Sequence, residues 1–369
     1  MNITAGMKSR GKIALIGYRL NKGGSERVMS VLSHFFENQG LEVYIFIVLD
    51  DVAFSYSGKL INLGKLKNKT NGLFNKVNRL RALKKEIDEH QFDFIIDFRF
   101  RIKFLQEFIL SRCIYNAKTI YTVHSAALQN YMPKQKILTQ LIYKNSYKVV
   151  AITSKMQELI KTNYKLDNLA RIYNPADMNR IKALKNEPIT MGFEFVISAG
   201  QLNTNEKQFD KLIKAYSQSI LPSKGIALVI LGDGLKRNEL VREAEALGVG
   251  DLVHFLGFID NPYKYFSRAK CFLLTSLYEG MPMVLIESLA CGTPVIAFDC
   301  PTGPNEIIQD KKNGLLIENQ NIEAFTEGMN LILNNTELYN LCKENSVESV
   351  ERFSLPIIGK QWMDLMNYN

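Results

Sequence analysis

Paired cysteines are missing from this chain. Its five cysteines (Cys113, Cys271, Cys291, Cys300 and Cys342) are odd in number and show no C-x-x-C spacing. That pattern argues against a disulfide framework or a zinc site. Cys271, Cys291 and Cys300 fall on or beside apolar runs, as buried reduced thiols do. No apolar run approaches the roughly 20 residues needed to cross a bilayer. Ile13-Ala14-Leu15-Ile16 is too short for a signal-peptide core and reads as a strand. Internal repeats and low-complexity tracts are also absent, so solenoid and linker-like architectures are excluded.

What remains is the composition of a globular protein. The chain has 369 residues, 46% of them apolar, which is too long for one core and implies two domains. Its net charge of +9 is uneven. Residues 1–178 hold 28 Lys+Arg against 14 Asp+Glu, a net of +14, while residues 179–369 come to −5. A basic first half points to an anionic partner; nucleic acid, a membrane surface and a phosphorylated acceptor all qualify.

Strand and helix patterns alternate throughout, the signature of parallel sheets with helices on both faces. Strands are expected at 12–18, 42–49, 92–97, 118–123 and 148–152, with helices at 25–38, 73–89, 103–112, 135–146 and 154–163. The second half repeats the rhythm. Its strands are expected at 194–199, 226–232, 252–256, 270–274 and 294–298. Its helices fall at 206–218, 235–247, 262–267, 283–290, 321–333 and 336–350. The polar, proline-containing break Tyr173-Asn174-Pro175-Ala176-Asp177 marks the boundary between domains 1–176 and 177–352, and residues 353–369 form a tail with an amphipathic 357–367 helix.

The densest chemical signal lies in the second half. Leu273-Leu274-Thr275 ends a strand, Glu279-Gly280-Met281-Pro282 makes a loop, and Met283 to Ala290 is an apolar helical run. A helix N-terminus after a parallel strand offers free N–H groups and positive dipole. Glu279 stands just before that terminus and Glu287 inside the helix. With E-G-M-P between these acids, S-L-A-C-G-T-P-V-I-A after them and the D-C-P-T-G-P-N-E-I-I loop following, the segment resembles the E-x7-E signature of retaining glycosyltransferases of family 4. The resemblance covers almost the whole chain and implies the α/β GT-B fold: two doubly wound, Rossmann-like domains facing across a cleft, with the tail helix crossing back to the first domain. The alternative is two charged residues flanking an ordinary αβ crossover.

The resemblance assigns roles. Glu279 would reach the hydroxyls of a donor sugar, Gly280, Met281, Met283 and Val284 would offer backbone N–H groups, and Glu287 would accept from the ribose diol. Gly200-Gln201-Leu202 with Lys207 and Phe209-Asp210 is similar to a segment in which an Arg and a Lys clamp the diphosphate. Gln201 replaces that Arg, so more of the charge falls to Lys207. Gly232, in Leu231-Gly232-Asp233-Gly234, occupies the nucleotide-side turn. Phe258, in Phe255-Leu256-Gly257-Phe258, belongs to the segment whose backbone reads the nucleobase.

In the first half, Gly23 and Gly24 open a helix after the first strand and are similar to the family's glycine pair, where backbone N–H groups approach a phosphate. The turn is not G-x-G-x-x-G. His124 ends the strand Lys118 to Val123, a position that faces the crevice of such sheets. By resemblance it meets the donor sugar near its reacting carbon; otherwise it is a packing histidine. Arg99 and Arg101 follow the strand Phe92 to Asp97 and, from charge and position alone, are candidates for gripping an acceptor phosphate; a solvated loop is the alternative. Lys65, Lys67 and Lys69 lead into 73–87, where Leu73, Val77, Leu80 and Ile87 recur at helical spacing among Lys76, Arg79, Arg81, Lys84 and Lys85. Such a helix lies on an anionic membrane or packs on its own sheet.

The expected activity is transfer, with retention, of a hexose or N-acetylhexosamine from a UDP-linked sugar to a glycan acceptor on a polyprenyl pyrophosphate. His124, Glu279 and Lys207 would be catalytic. No D-x-D occurs, in keeping with a family that works without a metal or other cofactor. The expected location is cytoplasmic, peripheral on the inner face of the membrane. A nucleotide-sugar epimerase of the same fold is the nearest rival. Nucleic acid is disfavoured as a partner, because basic and aromatic residues interleave only at 98–104.

Overall fold

The computed structural model describes residues 11–21, 23–68 and 72–368. The basic residues before Gly11, together with Lys22 and Lys69, lie outside the described residues. The chain forms two units: residues 1–175 with 355–369, and residues 176–354.

The first unit is built on seven parallel strands: β1 (Lys12–Gly17), β2 (Glu42–Ile47), β3 (Lys59–Asn62), β4 (Phe94–Asp97), β5 (Lys118–Val123), β6 (Lys148–Ala151) and β7 (Leu169–Arg171). Their spatial order is β3-β2-β1-β4-β5-β6-β7. Strands β1, β2 and β4 are apolar runs buried on both faces, the sequence character of a sheet covered by helices on either side. The helices are α1 (Gly24–Asn38), α2 (Leu73–His90), α3 (Phe104–Ile109), α4 (Lys136–Tyr143) and α5 (Ser154–Tyr164). The helix expected over 103–112 changes pitch, and Leu110–Ile114 is a π-helical turn. Strand order reverses between β1 and β4, so the carboxyl ends of β1, β4 and β5 surround the ligand-binding position of a doubly wound sheet.

The second unit repeats the plan with β8 (Phe195–Ala199), β9 (Ala227–Leu231), β10 (Val253–Gly257), β11 (Phe272–Leu274), β12 (Val295–Phe298) and β13 (Gly314–Ile317) in the order β10-β9-β8-β11-β12-β13. Its helices are α6 (Met178–Leu184), α7 (Phe209–Gln218), α8 (Arg237–Ala246), α9 (Tyr263–Phe266), α10 (Met283–Cys291), α11 (Pro304–Ile307), α12 (Ile322–Asn334) and α13 (Thr336–Val350). Here the switch lies between β8 and β11. Every α10 residue from Leu285 to Cys291 is buried, because this helix is largely apolar, with Glu287 and Ser288 as its polar members, and packs against α6, α9 and α13.

The last helix, α14 (Leu355–Leu365), belongs to the first unit. Ile358, Trp362 and Met363 join the core of α1, β1 and β2. Gly359 permits the close approach: a Cβ there would stand 2.4 Å from the Phe35 ring. Cys271, Cys291, Cys300 and Cys342 are buried and Cys113 is exposed; all five are free thiols. Burial pushes the thiols of Cys271, Cys291 and Cys300 up to about 12, so they are inert packing residues.

Candidate functional site

In the second unit, the carboxyl ends of β8 and β11 are tied together. The segment after β8 makes a short 3-10 turn, Asn205–Lys207, and Gln208 then adopts the left-handed region at φ 48° before α7 starts. The Thr275 hydroxyl, just past β11, donates to the carbonyls of Lys207 and Gln208 at 3.1 Å each. Leu277 N–H donates to the Glu206 carbonyl at 2.8 Å, and Tyr278 Oη donates to Glu206 Oε1 at 2.6 Å. These bonds bring Lys207 Nζ to 2.5 Å from Glu279 Oε1. Ser276 Oγ donates to the same oxygen at 2.6 Å, and the Thr302 hydroxyl donates to the Glu279 carbonyl. The Lys207 and Glu279 side chains keep 26% and 10% of their surface, enough for a ligand to reach the pair.

Two glycines make the approach possible. Gly200 lies under Lys207, where a Cβ would meet the lysine Cγ at 3.1 Å. Gly232 has φ 126°, and a Cβ there would stand 1.9 Å from the Gly200 carbonyl oxygen. Gln201 is exposed beside them. Helix α10 begins after Pro282, with no side-chain cap and no acid in its first turn. Its first N–H groups, at Met283 and Val284, are therefore available to an anion. Gly280 is half-buried and Met281 buried. Glu287, one helical turn further in, is 9% exposed and accepts from Tyr263 Oη at 3.3 Å. Phe258 follows β10 and is 81% exposed. It borders an open hollow of about 750 Å³ with Arg180, Ile259, Asp260, Asn261 and Tyr265; Lys207, Glu279 and Glu287 lie outside that lining.

In the first unit, His124 follows β5. Its ring stacks on Phe98 at 5.7 Å between centroids, and its Nε2 is 2.9 Å from Thr122 Oγ1. Burial, with help from the Arg101 guanidinium, pulls its pKa down to about 3; a hydrogen bond with the Asn174 side chain opposes both. The imidazole is neutral at physiological pH. Gly23 and Gly24 stand at the start of α1 as expected, but the Glu26 carboxylate folds back over Gly23. A Cβ on Gly23 would meet Glu26 Oε2 at 2.0 Å, and Ser25 Oγ donates to that oxygen at 2.8 Å. The turn read as a phosphate cradle already carries an internal anion.

Arg99 and Arg101 do not stand at a crevice mouth, and the reading of them as acceptor-gripping residues is corrected. They are 3% and 1% exposed. Arg99 donates from Nε to Asp97 Oδ1 at 3.0 Å, and from Nη2 to Asp97 Oδ2 at 2.6 Å and Glu107 Oε2 at 3.0 Å. Arg101 donates to Tyr143 Oη at 2.9 Å and to the carbonyls of Arg99 and Thr122 at 2.8 and 2.6 Å, among the rings of Tyr121, Tyr131 and Tyr143. Burial favours the neutral Asp97, but both guanidiniums outweigh it and hold the carboxyl below its usual value; burial raises Glu107. A buried charge needs such partners, so these donors are spent inside the fold.

Sequence reasoning missed the residues that hold the site: Glu206, Ser276, Tyr278 and Thr302 around Glu279, and Asp97, Phe98 and Thr122 around His124. Lys207 and Glu279 are 72 positions apart, and local pattern carries no sign of such a pairing.

Comparison with known proteins defines the class. The family model described as Glycosyltransferase Family 4 matches residues 22–180, and that described as Glycosyl transferases group 1 matches residues 179–349. The chain belongs to these GT-B glycosyltransferases. Among its relatives is the N-acetylgalactosamine-N,N'-diacetylbacillosaminyl-diphospho-undecaprenol 4-alpha-N-acetylgalactosaminyltransferase of Campylobacter jejuni, 26% identical over 93% of this chain and 95% of that one. A glycosyltransferase from Rickettsia africae superposes with a TM-score of 0.80 at 16% identity, covering 97% of this chain and 98% of the other. HepE from Anabaena, crystallised with UDP, superposes at 0.78 with 17% identity, over 97% and 100%.

Proposed function

We propose that this glycosyltransferase moves a hexose or N-acetylhexosamine from a UDP-sugar to a lipid-linked glycan acceptor in surface-polysaccharide assembly, with retention and without a metal ion. The observation that carries the reading is the Lys207–Glu279 pair beside the uncapped start of α10. Leaving-group chemistry needs positive charge and N–H donors where the diphosphate departs. Lys207, the N–H groups of Met283 and Val284 and the helix dipole supply them. Glu279 accepts from the sugar hydroxyls and Glu287 from the ribose. His124, a neutral ring, serves the reacting sugar. The acceptor hydroxyl forms the new bond to C1 on the face from which the diphosphate leaves. The old C1–O bond breaks, its electron pair stays on the phosphate oxygen, and the hydroxyl proton passes to that oxygen. The chain has no D-x-D for a metal-bound diphosphate. The UDP in the Anabaena neighbour and the undecaprenyl-linked acceptor in the Campylobacter relative's name support the choice of substrates.

The same reading makes the protein a cytoplasmic enzyme resting on the inner face of the membrane. No helix among the described residues is long and apolar enough to cross a bilayer. Along α2, Leu83 and Ile87 pack inward, while Leu73 and Phe74 are 77% and 89% exposed near Lys65, Lys67 and Lys76. Exposed apolar tips among lysines suit an anionic lipid surface. Flotation with anionic vesicles at low salt tests this, and absence of binding ends it.

The activity test is transfer from a panel of UDP-hexoses and UDP-N-acetylhexosamines to a polyprenyl-diphosphate glycan, with and without EDTA, followed by NMR of the product anomer. Retained configuration and EDTA-resistant turnover are expected. An inverted product overturns the mechanism, and interconversion of donors without acceptor overturns it in favour of an epimerase.

A further inference from the structure

Lys207 meets Glu279 from a turn that the next residue makes at a cost. Gln208 has φ 48° and ψ 48°, the left-handed region that is unfavourable for a residue with a Cβ. A residue other than glycine stays there when its surroundings hold it. Gln208 is 8% exposed and is held on every side. Both of its amide atoms are satisfied when Nε2 donates to the Thr275 carbonyl oxygen at 2.9 Å and to Gln320 Oε1 at 3.0 Å, while Oε1 accepts from Lys211 Nζ at 2.9 Å. Lys211 Nζ also donates to Gln320 Oε1. Gln320 is itself left-handed, at φ 67°, on the turn between β13 and α12. Its Nε2 donates to Asn319 Oδ1 at 3.1 Å. The backbone of the Lys207 turn is clamped from the same direction, since the Thr275 hydroxyl is shared between the carbonyls of Lys207 and Gln208. Glu279 draws on other donors, Lys207 Nζ and Ser276 Oγ.

We propose that Gln208 is a positioning residue for Lys207. Its left-handed backbone aims the lysine over Gly200 at Glu279, and Gln320, Lys211 and Thr275 keep that backbone in place. Gln320 thus acts on the ion pair from the turn after β13, through Gln208. The positioning stands on the second unit alone; its consequence for a nucleotide rests on the proposed transferase function.

The reactivity of Lys207 toward dilute acetic anhydride, read by peptide mass spectrometry against the other lysines, reports the ion pair with no ligand present. Gln208→Ala removes the amide network and leaves the left-handed turn without support. Acetylation of Lys207 should then rise about three- to fivefold, the worth of a part-open ion pair. Gln208→Gly also removes the network but adopts the left-handed region without strain, so it should restore protection. UDP affinity, read by calorimetry, should fall about tenfold in Gln208→Ala and recover in Gln208→Gly. Gln320→Gly keeps its own φ and removes its amide. It should loosen Lys207 when Gln208 is present and add nothing to Gln208→Gly. Unchanged protection of Lys207 in Gln208→Ala overturns the proposal, and so does a Gln208→Gly protein as reactive as Gln208→Ala. Should Gln208→Ala fail to fold, Gln320→Gly with and without Gln208→Gly decides. Wild-type protein that binds no UDP defeats the donor reading, and the acetylation pattern still decides the positioning.

Discussion

In the first unit, Asp97, Arg99, Arg101 and Glu107 share the buried space beyond β4, and no ligand can reach their charges. In the second unit, the matching end of β8 and β11 carries Lys207 and Glu279 at a partly open edge. The two sheets have the same strand order over their first six positions, so topology does not make the difference. Neighbours do. Arg99 and Arg101 are surrounded by tyrosine rings and facing carboxylates, which draw them inward. Lys207 sits on a turn above two glycines, with about a quarter of its side chain left open beside Glu279. The same type of position thus supports a buried scaffold in one half and a part-open ion pair in the other.

The largest test of this contrast is Asp97→Asn. It leaves two guanidiniums inside the first unit short of their principal counter-charge, and unfolding in urea should show a loss of about 3–5 kcal/mol. Glu279→Gln should cost clearly less, about 1 kcal/mol, because it keeps the side-chain shape and weakens one part-open ion pair. On the proposed function it should cost about 100-fold in kcat, because a charged acceptor for the donor sugar's hydroxyls is replaced by a neutral one. If both variants lost stability equally, the division between buried scaffold and part-open pair would collapse. Glu287→Ala should act mainly on donor KM, raising it about tenfold or more through loss of a charged hydrogen bond. A matching fall in kcat would erase the division of labour between the two acids.

The smallest effect concerns pH. His124 titrates near 3 in the folded protein against an ordinary value of 6.5. Its folded pKa is depressed, so its contribution to stability is complete above pH 6.5 and is lost as pH falls toward 3. Turnover should therefore carry no step from His124 between pH 5 and 8, and a step that disappears in His124→Gln would show a charged ring.

Much of this was legible in the sequence. The apolar runs of β1, β2, β5, β8 and β9 and the segment from Glu279 to Ala297 are local signals, and local physics governs them. The short edge strands β3 and β13 were not anticipated, because Lys59–Asn62 and Gly314–Ile317 are brief and lack a clean alternation. Helix α6 was missed although Asp177 caps it by accepting from Arg180 N–H at 2.9 Å. The arginines were misread for a deeper reason. Arg-x-Arg after a strand looks solvated until residues 107, 115, 121, 131 and 143 arrive to enclose it, and sequence spacing says nothing about that arrival.

Helix α14 brings a consequence for biosynthesis. The first unit takes Ile358, Trp362 and Met363 into the core beside α1. During translation the amino-terminal sheet must therefore wait, with that apolar patch uncovered, while all of residues 176–354 are synthesised. At about 5–20 residues per second the wait lasts on the order of ten seconds or more. In that interval the nascent chain is a natural client for a chaperone, and the intervening unit can finish folding before the one that began first.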